Sequence, residues 1–241
     1  MSGDPVAIIT GATGGIGQEL SRTLSARGYR LVLHGYQTTE IGRALAAELG
    51  NSVYVDSDIS DPQGATEIAE QAVENFGRID VVINNAGLGI PRDHRDLQAL
   101  EPEFFNQILG VNLAGPWHLI RASATELKKA RGAVINMSSV AATTVSGSSI
   151  PYAVSKAGLE HLTRMLAVAM GPEVRVNAVA PGLVETERTK DWHEIRAAVQ
   201  ETTPLRRSGT PSDVTQACLN LLEHDFITGA ILPVDGGQRL V

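Results

Sequence analysis

The chain has 241 residues, of which 43% are hydrophobic and 20% are charged, and its formal net charge is −7. This composition excludes a disordered chain, and the negative charge makes binding to nucleic acid or to an anionic membrane unfavourable. No segment has the roughly 20 apolar residues of a membrane span, and the N-terminal segment lacks the features of a secretory signal. The only cysteine, Cys218, has no partner for an internal disulfide, so we expect a cytoplasmic protein.

Short apolar strands alternate with helices along the whole chain. The strands lack the polar–apolar alternation of a half-exposed sheet, which predicts a parallel sheet that is buried on both faces. We therefore expect one α/β domain over residues 1–241, with a doubly wound parallel sheet of about seven strands and helices on both faces. The predicted strands are 6–10, 30–34, 52–56, 80–84, 132–137, 174–179 and 230–234, and the predicted helices are about 15–28, 39–49, 62–77, 102–128, 151–170 and 211–222.

The stretch 183–210 interrupts this alternation. It is rich in charged and polar residues, and it contains Trp192 and enough helix-forming residues for one short helix. Long insertions in compact domains commonly cover binding sites. We therefore expect a substrate lid at about 183–210.

The sequence TGATGGIG (10–17) connects the first predicted strand to the first helix. Glycine at Gly11, Gly15 and Gly17 permits a tight turn and a close approach of the backbone to phosphate oxygens, and the helix N-terminus adds free N–H groups. Ile16 begins the core-facing side of the helix. This arrangement indicates a dinucleotide-binding loop, although its spacing differs from the common G-x-G-x-x-G.

The residue that ends the second strand usually decides between NAD and NADP, because an acidic side chain there binds the ribose 2′-hydroxyl and repels a 2′-phosphate. Here the position is Gly35, and the next carboxylate along the chain is Glu40. NADP(H) is therefore favoured. NAD(H) stays open as the alternative, because no Arg or Lys lies at positions 14, 36 or 37. Three nearby side chains are candidate hydrogen-bond donors to a 2′-phosphate: His34, Thr38 and Thr39.

Tyr152 and Lys156 lie four residues apart in SSIPYAVSKAG (148–158), inside a predicted helix. A free tyrosine is a poor acid–base catalyst at neutral pH because its pKa is near 10. A lysine at this spacing lies on the same helix face, and its positive charge favours the phenolate form. The pair is consistent with a catalytic acid, but the pattern alone also fits an ordinary pair on a helix surface.

Further motifs mark the ends of predicted strands. NNAG (84–87), NMSSVAA (136–142) and NAVAPG (177–182) end three strands, and VNLAG (111–115) lies in a long helix. This edge of an open α/β sheet is where ligands bind. Together with TGATGGIG and the tyrosine–lysine pair, the motifs have the order and spacing of the short-chain dehydrogenase/reductase family, which the chain resembles from TGATGGIG to VDGGQRL (234–240). The resemblance implies a Rossmann-type fold and hydride transfer between a nicotinamide and a carbonyl or alcohol carbon.

The resemblance also implies a role for each residue of the active site. Tyr152 is the general acid that protonates a carbonyl oxygen, and Lys156 assists it and binds the nicotinamide ribose. Ser139 hydrogen-bonds the substrate oxygen, and it is favoured over Ser138 because it directly precedes a β-branched residue. Asn112 holds a water molecule in a proton relay.

The cofactor is expected along the carboxyl edge of the sheet, with its adenine near Asp58 and its nicotinamide amide and pyrophosphate near residues 181–186. The six histidines lack metal-ligand spacing, so no metal site is expected. The residues that the resemblance assigns to the cofactor are Gly11, Thr13, Gly15, Ile16, Gly17, Tyr36, Asp58, Ile59, Asn84, Ala86, Gly87, Tyr152, Lys156, Pro181, Gly182, Val184 and Thr186.

The substrate pocket is expected from residues 87–94, 141–150 and the lid. The overall layout and the ending TGAILPVDGG resemble the 3-oxoacyl-carrier-protein-reductase-like branch of the family, which predicts a 3-oxoacyl-thioester substrate. Because the pocket has polar residues such as Arg92, Thr143 and Ser146, a sugar, polyol, steroid or small ketone is an alternative substrate. A regulator that binds the cofactor without catalysis is a minor alternative. The family also implies a homotetramer or homodimer built partly from the helices at 102–128 and 151–170.

Overall fold

The computed structural model describes residues 3–241, so the first two residues of the predicted domain lie outside the described part. Its strands are β1 (Val6–Ile9), β2 (Arg30–Gly35), β3 (Ser52–Asp56), β4 (Val81–Asn84), β5 (Ala133–Met137), β6 (Arg175–Pro181) and β7 (Ile231–Val234). They form one sheet in the order β3-β2-β1-β4-β5-β6-β7, and every neighbouring pair is parallel. The predicted doubly wound α/β fold is confirmed.

Helices cover both faces of this sheet. Val6 and Ile8 of β1 pack into one apolar cluster and Ala7 and Ile9 into the other, which explains why the strand is apolar at every position. The first cluster is completed by α3, α5 and α6, and the second by α1, α2 and α8. The helices are α1 (Gly15–Ala26), α2 (Thr39–Leu49), α3 (Pro62–Phe76), α4 (Pro102–Leu109), α5 (Gly115–Ala130), α6 (Ile150–Met170), α7 (His193–Thr202) and α8 (Pro211–Glu223). Within residues 3–241, none of them has the length and apolar content that crossing a lipid bilayer requires.

The strand order reverses at β1, which lies between β2 and β4. The chain therefore leaves β1 toward one side of the sheet and returns at β4 on its other side. The loops after these two strands separate and leave a crevice at the carboxyl edge. Every motif at a strand end in the sequence meets this edge.

The helix predicted over 102–128 contains a π turn. The structure divides it into α4 and α5, joined by a wider π turn at Gly110–Ala114. The turn brings Asn112 into the interior, where its side chain bonds the backbone of Leu88. The close approach of Ile59 to Gly115, where an added Cβ would lie 3.1 Å from the Ile59 side chain, fixes the start of α5. Single π turns inside α-helices occur frequently at functional sites.

The insertion at 183–210 has paired ends. Val184 and Gly209 form an isolated parallel bridge, with Glu185 N–H donating to Gly209 O at 2.9 Å and Gly209 N–H to Leu183 O at 2.8 Å. Between these ends lie a short 3-10 turn at Glu187–Thr189 and α7. The insertion is therefore a folded excursion from the sheet edge, and its role as a lid stays a prediction.

Candidate active site

The glycine loop between β1 and α1 is closely packed, both within itself and against the segment after β4. A Cβ at Gly17 would lie 2.2 Å from Gly11 O, and one at Gly11, whose φ is +62°, would lie 2.9 Å from Ala86 Cα. Within residues 3–241, no side chain caps the N-terminus of α1, so its first N–H groups have no side-chain acceptor. Small residues and free donors at this point fit the diphosphate of a dinucleotide.

Asn85 fixes this loop to β4. Its side-chain Nδ2 donates to Thr10 O at 2.9 Å and to Gly11 O at 3.1 Å. In return, the Thr10 hydroxyl accepts from the N–H groups of Asn85 and Ala86 at 3.0 and 2.9 Å. Both asparagines belong to NNAG, but only Asn84 was predicted to be a cofactor residue. The structure shows that Asn85 holds the glycine loop in place.

Asn84 itself lies inside the sheet. It is 2% exposed, and its Nδ2 donates to Asn136 Oδ1 on β5 at 2.8 Å. Its side chain is not among those that line the cavity, and its assignment to the cofactor stays a prediction. The amide instead joins two strand ends below the site.

The predicted adenine end of the site lies at the ends of β2 and β3. Tyr36 is 54% exposed there, whereas Ile59 is buried against Gly115. Asp58 lies beside them, and its Oδ1 accepts from the N–H and the hydroxyl of Ser60 at 2.9 and 2.7 Å. Asp58 and Tyr36 are therefore at the crevice edge, while Ile59 contributes packing below it.

A carboxylate on β3 that was not predicted lies beside the end of β2. Asp56 is paired with Gly35 across the sheet, and its carboxylate accepts from Gln37 N–H at 2.8 Å, from Thr38 N–H at 3.3 Å and from the Thr39 hydroxyl. The Thr39 hydroxyl, followed by the two N–H groups, lowers the pKa of the Asp56 carboxyl. Asp56 on β3 thus brings an acidic group next to Gly35, the position at which a carboxylate was missing. No local sequence pattern reveals this pairing.

The three donors expected for a 2′-phosphate are already engaged. His34 is buried, with Nε2 2.8 Å from Ser57 O, and desolvation lowers its pKa. The Thr38 hydroxyl lies 3.1 Å from that of Thr13 and 2.9 Å from that of Tyr54, and the Thr39 hydroxyl binds Asp56. All three side chains thus have partners within the protein, and their role as donors to a 2′-phosphate stays a prediction.

Tyr152 and Lys156 lie in the first two turns of α6, whose start is set by Pro151 in its first turn. Lys156 is 3% exposed, and its Nζ donates to Met137 O at 2.7 Å and lies 5.7 Å from the centre of the Tyr152 ring. Burial, and then the nearby charge of Arg188, lower the pKa of Lys156 to about 7. The amine is therefore held beside the tyrosine in a buried position, where its protonation changes near neutral pH.

Ser139 lines the same cavity as Tyr152. It is the residue before the short turn Val140–Ala142, and its Oγ accepts from Ala141 N–H at 3.2 Å. The hydroxyl hydrogen thus stays available for an oxygen in the cavity. Ser138 instead donates to Glu160 Oε1 at 3.0 Å, which supports the choice of Ser139 over Ser138.

The side chain of Asn112 is fully buried and used within the protein. Its Oδ1 accepts from Leu88 N–H at 2.7 Å, and its Nδ2 donates to Leu88 O at 2.9 Å and to Ser155 Oγ at 3.1 Å. The amide therefore holds the segment after NNAG against α6. Its expected part in a proton relay stays a prediction.

These elements enclose a cavity of about 1060 Å³. Its substrate side contains Arg92, Ser148 and Trp192, which belong to the three segments predicted for the pocket. Thr13, Ala86 and the remaining predicted cofactor residues lie along the glycine loop and the ends of β2, β3 and β4. The predicted site residues that line the cavity are Ile16, Gly87, Ser139, Tyr152, Lys156, Pro181, Gly182, Val184 and Thr186.

The segment after β6 forms the opposite wall of the crevice. Gly182 N–H donates to Val234 O at 3.0 Å, and Leu183 N–H donates to Gln238 Oε1 at 3.1 Å. Further along, Thr186 Cγ2 lies 2.9 Å from where a Cβ would stand on Gly15. The wall therefore contacts the glycine loop directly.

Comparisons with known proteins define the class. A family model described as enoyl-(acyl carrier protein) reductase matches residues 11–239. The protein assigned as ketoacyl reductase 2 of the granaticin polyketide synthase in Streptomyces violaceoruber is 45% identical over 98% of this chain and 97% of its own length. The 3-oxoacyl-[acyl-carrier-protein] reductase of Escherichia coli K12 is 33% identical over 98% of both. A solved structure from Brucella melitensis, described as a short-chain dehydrogenase/reductase and glucose/ribitol dehydrogenase, matches with a TM-score of 0.89 at 29% identity, over 97% of this chain and 96% of its own.

The chain belongs to the short-chain dehydrogenase/reductase family. It is an NAD(P)-dependent oxidoreductase, and the family resemblance predicted from the motifs is confirmed. Its similarity to several 3-oxoacyl-[acyl-carrier-protein] reductases also supports the branch predicted from the sequence.

Proposed function

We propose that this protein is a 3-oxoacyl-thioester reductase that converts the ketone of the substrate to a secondary alcohol. A dinucleotide held by residues of the glycine loop and the wall after β6, among them Ile16, Gly182 and Thr186, would supply the hydride. Tyr152 transfers its phenolic proton to the carbonyl oxygen, and Ser139 donates a hydrogen bond to the same oxygen as negative charge develops there. The observation that carries the proposal is that Tyr152, Ser139 and Lys156 all line the same cavity.

Lys156 supports the proton transfer in this proposal. Its buried amine lies beside the Tyr152 ring, where a positive charge favours the phenolate that remains after the proton has left. The bond to Met137 O holds the amine in place. Asn112 acts indirectly, because its amide positions Leu88 and Ser155 around the two residues.

The thioester class is supported by two relatives whose names specify reduction of ketoacyl groups. The second candidate is a sugar, polyol, steroid or small ketone. It is favoured by the polar groups of the cavity wall, among them Arg92 and Ser146, and by the sugar and polyol named for the Brucella structure. A regulator without turnover is disfavoured, because the predicted acid Tyr152 and its partners Ser139 and Lys156 line one cavity.

For the cofactor, two observations point in opposite directions. Gly35 leaves the end of β2 without its own carboxylate, which favours NADP(H). Asp56 brings a carboxylate to the same strand end and uses its N–H donors, which favours NAD(H). We put NADP(H) first and NAD(H) second, and separate titrations of NADPH and NADH decide between them.

We further propose that the protein forms a homotetramer or homodimer through α5 and α6. Val154, Met165 and Val168 follow one another at helical spacing on α6 and are 47%, 59% and 84% exposed, and Trp117 on α5 is 42% exposed. Exposed apolar side chains in a stripe are typical of a surface that is covered by another chain.

The function is tested by following the absorbance of reduced nicotinamide with the full-length protein. NADH and NADPH are each tried against 3-oxoacyl thioesters, sugars, polyols, steroids and small ketones. We expect the highest kcat/KM with a 3-oxoacyl thioester. Preferred turnover of a sugar or ketone would transfer the assignment to the second candidate, and tight dinucleotide binding without turnover of any compound would support the regulator.

A further inference from the structure

Arg188 lies across the mouth of the cofactor crevice. It belongs to the short turn Glu187–Thr189, two residues beyond the Thr186 side chain that contacts Gly15. Its Nη1 donates to Gly87 O at 3.2 Å. The arginine therefore spans from the wall after β6 to the NNAG segment, beside the N-terminus of α1.

The charge of this guanidinium is not balanced nearby. In the described range 3–241, no carboxylate lies within 4.0 Å of Arg188, whereas the neighbouring Glu187 pairs with Lys190 and Glu185 with Arg196. The charge nevertheless acts on the interior of the site, because it contributes to the lowered pKa of Lys156. A free cation at the mouth of a crevice is suited to an anionic ligand.

The glycine loop, in contrast, has no positively charged side chain. Residues 10–17 contain no Lys or Arg, so the loop offers only N–H groups and the helix dipole to the two negative charges of a diphosphate. Arg188 is the cation of the facing wall that lines the cavity on this side. Its planar group can bind two phosphate oxygens at once.

We propose that Arg188 binds the diphosphate of the dinucleotide, as a cofactor-binding residue that the glycine motif does not contain. This inference rests on the proposed function. In the structure the guanidinium is held by Gly87 O, a neutral acceptor. Phosphate oxygens are stronger acceptors for a guanidinium, so the arginine exchanges this bond for the diphosphate when the dinucleotide binds.

The test measures binding rather than turnover. Full-length wild type, Arg188→Met and Arg188→Lys are titrated by calorimetry with ADP-ribose, which has the diphosphate, with adenosine, which lacks it, and with NADH and NADPH. Arg92→Met is the matched control, because Arg92 also lines the cavity but stacks on Phe104 at 5.0 Å. Circular dichroism confirms that each variant is folded.

For Arg188→Met we expect a loss of affinity of about 10-fold to 100-fold for ADP-ribose and for the preferred dinucleotide, as for a lost charge-assisted hydrogen bond. Adenosine should bind within about twofold of wild type, and Arg188→Lys should lose less because it keeps the charge. Equal ADP-ribose affinity in wild type and Arg188→Met overturns the inference while the proposed function stands. Equal weakening of adenosine also overturns it, because a general distortion of the site would then explain the loss. If wild type binds no dinucleotide, the proposed function fails together with the inference.

Discussion

Tyr152 is the residue whose removal distinguishes chemistry from binding. Tyr152→Phe keeps the ring in the cavity wall but removes the only proton that we assign to the carbonyl oxygen. We expect turnover to fall by about 100-fold or more, with the dinucleotide affinity within about threefold of wild type. Tyr29→Phe, which alters a tyrosine outside the cavity lining, is the control. Full turnover by Tyr152→Phe would refute the proposed acid.

Lys156 makes stability depend on pH. Its pKa is lowered from 10.5 to about 7 in the folded protein, so between these values the unfolded chain binds a proton that the folded protein lacks. The free energy of unfolding therefore rises with pH in this window, by up to about 1.4 kcal/mol per pH unit. In Lys156→Met the free energy of unfolding should lack this rise, because methionine has no proton to bind.

Urea unfolding of both proteins at pH 7, 8 and 9 checks this. Lys156→Met should be the more stable protein by a margin that shrinks as the pH increases, because the cost of burying the charged amine disappears. A margin that is constant over the three pH values would show that the amine keeps its ordinary pKa.

Tyr36 provides a test of the position of the 2′-phosphate. A positive charge at this exposed residue should attract the extra phosphate, so Tyr36→Arg is expected to raise NADPH affinity by about threefold to tenfold relative to NADH. Val73→Arg adds the same charge on α3, away from the crevice, and should leave the ratio unchanged. An unchanged ratio in Tyr36→Arg would place the 2′-phosphate elsewhere.

At the scale of elements, the loop before α1 contains a matched pair of glycines. Gly17→Ala would place a Cβ 2.2 Å from Gly11 O, whereas in Gly14→Ala the nearest such atom is 3.5 Å away, and φ at Gly14 is −81°. We expect Gly17→Ala to lose more than about 2 kcal/mol of stability and much of its dinucleotide affinity. Gly14→Ala should stay within about 0.5 kcal/mol of wild type. Chemical denaturation and dinucleotide titration measure both, and equal effects would contradict this account of the loop.

Most helices and strands were predictable because their signals are local. Asp61 caps α3 by accepting from Gln63 N–H at 2.9 Å, and Thr210 caps α8 by accepting from Asp213 N–H at 3.2 Å. Asp or Thr directly before a proline is a local signal for such a helix start. The π turn was not, because the pattern of apolar residues from 102 to 128 continues through it. It follows from a contact of Asn112 with Leu88, 24 residues away.

The residues of the candidate site also differ in whether a local sequence signal could predict them. Tyr152, Lys156 and Ser139 belong to short motifs whose spacing carries the chemistry, so they were found. Asp56 and Arg188 were missed because each contacts a residue that is distant in the sequence. Asp56 accepts hydrogen bonds from the loop after β2, and Arg188 donates one to Gly87. Such juxtapositions depend on strand order and on the path of the insertion, which composition and periodicity do not encode.

At the scale of the whole molecule, the apolar stripe on α6 predicts association. Val168→Glu combined with Met165→Glu places two charges on this stripe, and burying them in an interface is costly. We expect light scattering to show a shift from dimer or tetramer toward monomer. Val145→Glu, at a fully exposed loop residue, should leave the mass unchanged. A monomeric wild type, or an unchanged mass in the double variant, would contradict the proposed interface.

The anchoring of Gly182 and Leu183 by Val234 and Gln238 has a consequence for biosynthesis. The glycine loop and α1 emerge early from the ribosome, and domains generally form in the order of synthesis. The wall that faces them has no fixed position until β7 and the turn beyond it have been made. The wall after β6 therefore gains these anchors only after β1 to β6 have been synthesised, because Val234 and Gln238 follow them in the chain.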